Sequence, residues 1–455
     1  MVGRSSFARR WPRAAHALRR EFADWRLWIT RSVVVVAAAL AGLTVVLFTW
    51  LGEFALSSFH KLEDWAWWSP LLWTPACAAI VVWATSRYAP GAAGSGIPQV
   101  MATLDPAVGP EHRGLFVSLR LAVAKLGLTT LGLFGGLSLG REGPSVQVAA
   151  GVMHAARRFL PSRSLVSDHG LLVAGGAAGI AAAFNTPLAG VMFAIEELSR
   201  SPEQRSSGLI VSAIVLSGLI AVSLEGNATY FGIIQATNVD QTLLIPGLLV
   251  AIASGLAGGL FSRLLLHSLG ARPAQRLNLW RRQHPVPFAA ACGLAVAVIG
   301  VVTAGATFGS GYGYTRGLLD GSETASSSFV FFKFIATWLT TWSGVPAGIF
   351  APSLSIGAAL GHAVATLTSH PHVPTLIALG MVGFLAAVTQ APLTSFIIVM
   401  EMVGGHAMVL SLMACALLAN GLSRLITKPL YPTLAQYQLS RLPYPVESGT
   451  RSHSH

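Results

Sequence analysis

The sequence predicts an all-α polytopic membrane protein built from two inverted-topology repeats of tilted and broken helices. Composition is the first observation behind this: of 455 residues, 53% are hydrophobic and only 11% charged, with a mean hydropathy of +0.61. So few charges cannot cover a water-facing exterior. The second is a set of long apolar runs at Ser32 to Leu51, Leu115 to Leu139, Leu243 to Phe261, Phe288 to Thr307 and Leu376 to Met400. Each is near or above the ~20 residues that cross the hydrocarbon of a bilayer. The third is an internal duplication. AAAFNTPLAGVMFAIEEL (Ala181 to Leu198) returns 205 positions later as AAVTQAPLTSFIIVMEMV (Ala386 to Val403), so that Pro187 falls on Pro392, Leu188 on Leu393 and Glu196 on Glu401. GREGPSVQVAAGVMH from Gly140 likewise returns as GIFAPSLSIGAALGH from Gly348, 208 positions on. Duplicated apolar segments interrupted by Gly or Pro are the mark of a membrane transporter with broken helices at the repeat interface.

Taken in chain order, residues 1–31 read as a basic cytoplasmic N-terminal segment with an amphipathic helix, since Arg4, Arg9, Arg10, Arg13, Arg19, Arg20, Arg26 and Arg31 all precede the first apolar run. This accounts for much of the formal charge of +12 and points to an anionic lipid surface rather than to nucleic acid. The segment is too long and too polar for a cleaved signal peptide and is expected to be retained. A first membrane repeat spans 32–225, an inter-repeat connection and the start of the second repeat 226–285, the remainder of the second repeat 286–435, and a short tail 436–455. The two halves, about 32 to 225 and 240 to 430, are expected to meet near the bilayer midplane. Arg120 and Lys125 interrupt the second apolar run, which must face protein or water there. The linker from Arg272 to Arg282 and the pair Arg424 and Lys428 read as cytoplasmic, placing both termini on that side. About thirty residues follow Arg424, so no C-terminal cytoplasmic regulatory domain is expected. Cys77, Cys292 and Cys415 stand alone in apolar stretches and read as packing residues.

The chemistry sits in four Gly- or Pro-containing stretches where helices should begin: GSGIPQV from Gly94, GREGP from Gly140, GIFAP from Gly348 and KPLYPTLA from Lys428. A helix start presents unpaired N–H groups and about half a positive charge, so several aimed at one point make a site for an anion without a buried cation. Hydroxyls such as those of Ser95 and Tyr431 add direct donors. Glu196 and Glu401, the repeat-related acids, are expected to hydrogen-bond backbone at the ends of half-helices.

These stretches, in this order from Gly94 to Tyr431, resemble the CLC family of chloride channels and proton/chloride exchangers over nearly the whole chain. The resemblance implies that the hydroxyls of Ser95 and Tyr431 and the amides of Ile349 and Phe350 hold a central chloride. It also implies that the amides of Arg141, Gly143 and Ala351 bind an external one. By the same resemblance Glu142 of GREGP is the gating and external proton glutamate, and Glu197, the second acid of Ile195-Glu196-Glu197, is the internal proton glutamate. An acid at both positions favours a secondary active transporter exchanging chloride for protons over a passive channel of the same family. Ser95, rather than proline, favours chloride over nitrate, and GREGP argues against the fluoride-exporting branch. Gln99 departs from relatives that carry an acid after Pro98, and the bulk of Trp342 to Ala347 ahead of GIFAP is unusual. The expected setting is a bacterial inner membrane, with a homodimer carrying one pore per subunit and formed through the apolar faces of about Leu188 to Ile220 and Leu393 to Leu422.

Two rival motifs belong to other classes. Gly136-Leu137-Ser138-Leu139-Gly140 fits GxSxG, and an intramembrane serine protease would need His154, His267 or His362 against Ser138. Gly309-Ser310-Gly311-Tyr312-Gly313 resembles a potassium-filter loop, but a single copy lacks a preceding pore-helix pattern. No HExxH, P-loop or dinucleotide fingerprint is present, so no enzyme activity, cofactor or metal is expected.

Overall fold

The computed structural model describes residues 25–161, 164, 166–199, 207–226, 229–233, 241–270, 276–324 and 326–440. The expected amphipathic helix ahead of Trp25, Arg272 of the linker and the tail after residue 440 lie outside the described residues. In the first half the helices are α1 (Trp25–Trp65), α2 (Ser69–Tyr88), α3 (Ile97–Thr103), α4 (Leu119–Phe134), α5 (Glu142–Ala155), α6 (Asp168–Ala183), α7 (Pro187–Phe193) and α8 (Ser207–Glu225). The second half follows with α9 (Leu244–Leu269), α10 (Arg276–Gln283), α11 (Pro285–Val302), α12 (Tyr312–Asp320), α13 (Ser327–Ser343) and α14 (Phe350–Thr368). It ends with α15 (Val373–Thr389), α16 (Pro392–Met402), α17 (Val409–Ile426) and α18 (Leu430–Leu439). Among the described residues, eight helices are long and apolar enough to cross a membrane. The only β-type pairing among them is one antiparallel bridge between Gly140 and Gly348.

The apolar run from Leu376 to Met400 is not one span. Gln390 takes a left-handed conformation at φ 60°, ending α15, and Pro392 opens α16 at its first turn, where a missing N–H costs nothing. Asn185 does the same at φ 57° between α6 and α7, followed by Pro187. Both breaks fall within the duplicated segments, and only the one at Gln390 is hidden inside a single long apolar run. Helix α2 carries an internal Pro75 and is nevertheless apolar enough to span. Gly208–Glu225, Phe350–Thr368 and His406–Ile426 are further candidate spans beyond the runs read from the sequence.

The duplication is visible in the packing. Helix α5 lies along α6 as α14 lies along α15, and α6 and α15 in turn pack on α8 and α17. The α14–α15 pair approaches at backbone distance: a Cβ on Gly357 would run into the carbonyl of Gly380, and one on Gly380 into that of Gly357. Small residues at such crossings let dispersion and backbone contacts hold helices that gain little from apolar burial in lipid.

Two further devices tie the repeats together across their boundary. Gly140 and Gly348 exchange both backbone hydrogen bonds, at 2.8 and 3.0 Å. Glu196, on a π-helical turn (Ala194–Leu198) that continues α7, accepts from the amides of Leu393 (3.1 Å) and Thr394 (2.6 Å) at the start of α16. Glu401 near the end of α16 accepts from Leu188 (3.2 Å) and Ala189 (2.8 Å) at the start of α7. Each repeat's acid therefore caps the other repeat's helix. Losing a helix N-cap costs about 1 kcal/mol. Glu196→Ala and Glu401→Ala should each lower the melting temperature in detergent, and two variants as stable as the parent chain would contradict the caps.

Candidate functional site

All four motifs begin helices. Gly96, Arg141, Ile349 and Pro429 are the residues that precede α3, α5, α14 and α18, and none of them supplies a side-chain cap to the helix it opens. The first-turn amides have no intrahelical acceptor by position, so four helix starts keep donors for something else. The Gly140–Gly348 bridge places the starts of α5 and α14 side by side.

At the starts of α5 and α14 the Glu142 carboxylate is almost fully buried, with the backbone amides of Arg141, of Glu142 itself and of Ala351 within electrostatic reach. Two of the three amides expected to hold an external anion, Arg141 and Ala351, thus face a carboxylate of the same chain. Its Oε2 still has no hydrogen-bond partner. The third expected donor, Gly143, packs instead against the Ser95 side chain, which fills the space a Cβ on Gly143 would need. The Arg141 guanidinium turns away to the carbonyl of Thr49 (3.1 Å) and the Glu53 carboxylate (3.1 Å) on α1. It anchors the start of α5 while its amide faces the site.

Ser95 and Tyr431 face each other from the α3 and α18 starts, within reach of an interaction. Both hydroxyls are buried, and neither forms a hydrogen bond of good geometry with the protein. A buried hydroxyl without a partner costs free energy of order 1–3 kcal/mol. Two that converge on one point mark a place where a ligand completes the set. Ile349 and Phe350, whose amides were expected to join them, are buried at the start of α14, and the Phe350 ring stacks on Tyr431 with centroids 6.0 Å apart. The Tyr431 hydroxyl lies within electrostatic range of both Glu142 and Glu197. Glu197 is half-buried on the π-helical turn (Ala194–Leu198). Such a turn is a common device at functional sites because it re-aims side chains within a helix.

A family model described as voltage gated chloride channel matches residues 77–424. The chain belongs to that family. It is accordingly an integral multi-pass membrane protein of a transporter family. Among curated members it is similar to the H(+)/Cl(-) exchange transporter ClcA of Citrobacter koseri, at 29% identity over 444 residues, covering 93% of this chain and 91% of the relative. The ClcA of Salmonella paratyphi A is also 29% identical, over 435 residues, covering 90% and 88%. Among solved structures the fold is similar to a slow cyanobacterial Cl-/H+ antiporter, with a TM-score of 0.78 and 24% identity, covering 91% of this chain and 99% of that one. A CLC-type fluoride/proton antiporter follows at a TM-score of 0.73 and 20% identity, covering 90% and 99%.

Several residues of the family site escape a reading of motifs. Lys125, expected only to face protein or water, is completely buried and donates to the carbonyls of Ala92 (2.8 Å) and Gly94 (2.5 Å), fixing the loop that presents Ser95. Gln99 braces the same loop by accepting from the Gly96 amide (3.0 Å) and donating to the Ala93 carbonyl. Gly96 itself adopts φ 106°, a conformation open to glycine, with Gly143 and Gln147 against it. Their acceptors and donors are backbone atoms, which leave no mark in the sequence.

Ser138 of the rival GxSxG stretch is buried with its hydroxyl 2.9 Å from that of Thr337, and its amide donates to Thr340 (3.2 Å). Its partners are threonines rather than His154, His267 or His362. The three cysteines are free and buried, as packing residues should be.

Proposed function

We propose that the chain exchanges chloride for protons across a membrane, with Glu142 as gate and external proton carrier and Glu197 as internal proton carrier. The observation that carries this reading is the Glu142 carboxylate buried beside the amides of Arg141, Glu142 and Ala351 and within electrostatic range of Tyr431, whose hydroxyl and that of Ser95 are orphaned. A carboxylate and a chloride are interchangeable occupants of such a cage, because both are held by N–H dipoles rather than by a cation. Chloride arriving at the amides of Arg141, Gly143 and Ala351 displaces the carboxylate, and protonation neutralises it and frees the cage. Proton uptake and chloride occupancy are thereby linked at one residue. At the central position Ser95, Tyr431 and the amides of Ile349 and Phe350 hold chloride tightly enough to select it and loosely enough to release it. The names of the ClcA relatives support exchange of these two ions.

The deciding experiment is reconstitution into liposomes under an imposed chloride gradient, with external pH and chloride followed together. Uphill proton movement driven by chloride is the expected result. Chloride flux without protons would make the protein a passive channel of the same family and leave Glu197 a structural residue. At the central site, a single neutral hydrogen bond is worth about 1 kcal/mol, so Tyr431→Phe should weaken chloride binding about five-fold in calorimetry. The ring and its stacking on Phe350 are retained, and an unchanged affinity would remove the hydroxyl from the cage.

The setting we propose is a bacterial inner membrane with both termini cytoplasmic. The working unit is a homodimer with one pore per subunit. Exposed leucines on the two faces expected to meet, among them Leu188, Leu219, Leu393, Leu410 and Leu417, support it. Light scattering of the detergent-purified protein, corrected for detergent, should give twice the chain mass.

A further inference from the structure

The chain carries a second loop built like the one that presents Ser95. Lys333 lies 208 positions after Lys125, the same offset that relates Gly140 to Gly348, and both lysines are completely buried. Lys125 takes the carbonyls of Ala92 and Gly94, and Lys333 takes those of Thr307 (2.9 Å) and Gly309 (2.8 Å). In each case the acceptors are two residues apart and the second opens a Gly-Ser-Gly sequence, Gly94-Ser95-Gly96 or Gly309-Ser310-Gly311. The outer glycines have positive φ in both, at 79° and 106° in the first loop and at 61° and 81° in the second. Each loop ends as the residue preceding a helix, α3 in one repeat and the nine-residue α12 in the other. An ammonium that gathers the carbonyls on one side of a loop leaves its amides to face the other way, toward a helix start of positive potential.

The two loops differ in what stands against them. In the first repeat the side chain of Gln147 on α5 approaches Gly96, and its amide nitrogen is spent on the carbonyls of Gly91 (2.9 Å) and Phe116 (2.6 Å). In the second, the equivalent position on α14 is Ser355. Its side chain occupies the space a Cβ on Gly311 would need, it is completely buried, and its hydroxyl has no hydrogen-bond partner. Gly311 offers α12 no side-chain cap, and the Tyr312 amide donates to the Ser310 hydroxyl (3.3 Å), leaving the next amides of the first turn open. Ser310 and Tyr312 are half-exposed whereas their counterparts Ser95 and Ile97 are buried; Gly311, like Gly96, is buried.

We propose that the Gly309–Tyr312 loop and the Ser355 hydroxyl form a second binding site for a small inorganic anion of halide size, the repeat-related counterpart of the Ser95 site. The proposal rests on reading the Ser95 loop as an anion site. Ser355 and the amides of α12 beyond Tyr312 donate, while Lys333, whose side chain lies beside Ser355 at Gly311, spends its ammonium on the loop carbonyls. Glu142, Tyr431 and Glu197 are not among its donors, so it gathers anions without taking part in the proton chemistry.

The test is crystallography of the full chain grown in bromide, read by anomalous scattering. Wild-type protein should show bromide at both the Ser95 and the Gly311 loops, and Ser355→Ala, a small change in a buried position, should lose the second peak and keep the first. Bromide at Ser95 alone in the wild type would overturn the second site and leave the transport reading standing. Bromide at neither loop would overturn both. A peak at Gly311 that survives Ser355→Ala would overturn the assignment of that hydroxyl as a donor. Calorimetric titration with bromide gives an independent reading: one site fewer per chain in Ser355→Ala than in the wild type supports the proposal, and an equal number in both overturns it.

Discussion

Glu142→Gln should abolish proton transport, down to the level of protein-free vesicles, while chloride continues to move. The argument is electrostatic. The amides of Arg141, Glu142 and Ala351 stabilise a negative occupant, and the carboxylate is that occupant in the structure. A glutamine side chain has nearly the same volume but no charge to offer the cage and no titratable proton to carry. It can neither compete with chloride on equal terms nor ferry a proton across the outer half of the protein. The expected phenotype is therefore a selective loss, with chloride flux uncoupled from pH rather than stopped. Proton movement that persists in Glu142→Gln liposomes would take Glu142 out of the mechanism.

Glu197→Gln is the complementary experiment and should give an equally large effect by a different route. Glu197 is half-buried on the π-helical turn and, like Glu142, sits within electrostatic range of Tyr431. Neutralising it removes the proton donor on one face while the amide cage, Ser95 and Tyr431 remain. Chloride flux should be kept and proton flux lost. The control is the neighbouring Glu196, whose carboxylate is engaged with the amides of Leu393 and Thr394. Equal loss of both fluxes in Glu197→Gln, together with a lowered melting temperature, would mean that the π-helical turn has been damaged and that Glu197 is a structural acid.

The duplication and the four helix starts were legible from residues alone, because both are written in side chains: paired prolines, paired acids, and glycines ahead of apolar runs. Glu196 and Glu401 could be read as helix-end acids for the same reason. The reading failed where the deciding atoms belong to the backbone. The break at Gln390 lies inside apolar sequence that reads as one span, since a single left-handed residue changes direction without changing hydropathy. Lys125 and Lys333 serve carbonyls, so nothing near them in the sequence announces what they do. Their common offset of 208 was nevertheless present in the sequence, but it took the carbonyls they hold to pair the Gly309 loop with the Gly94 loop, which does not share that offset. The Tyr431 hydroxyl was found through its motif, but its proximity to both Glu142 and Glu197 required coordinates.

The exchange of caps between Glu196 and Glu401 bears on how the protein is made. When a ribosome has produced the first repeat, the amides of Leu188 and Ala189 have no carboxylate, because theirs is supplied more than two hundred residues later. Domains that fold as units during synthesis complete themselves before the next one emerges. Here neither half can do so, and the newly inserted first repeat must wait in the bilayer with an open helix end until Glu401 arrives. Maturation is then a docking step between two inserted halves. Two separately encoded halves, expressed together, should supply each other's missing acid and assemble, whereas either alone should be left for the membrane's proteases.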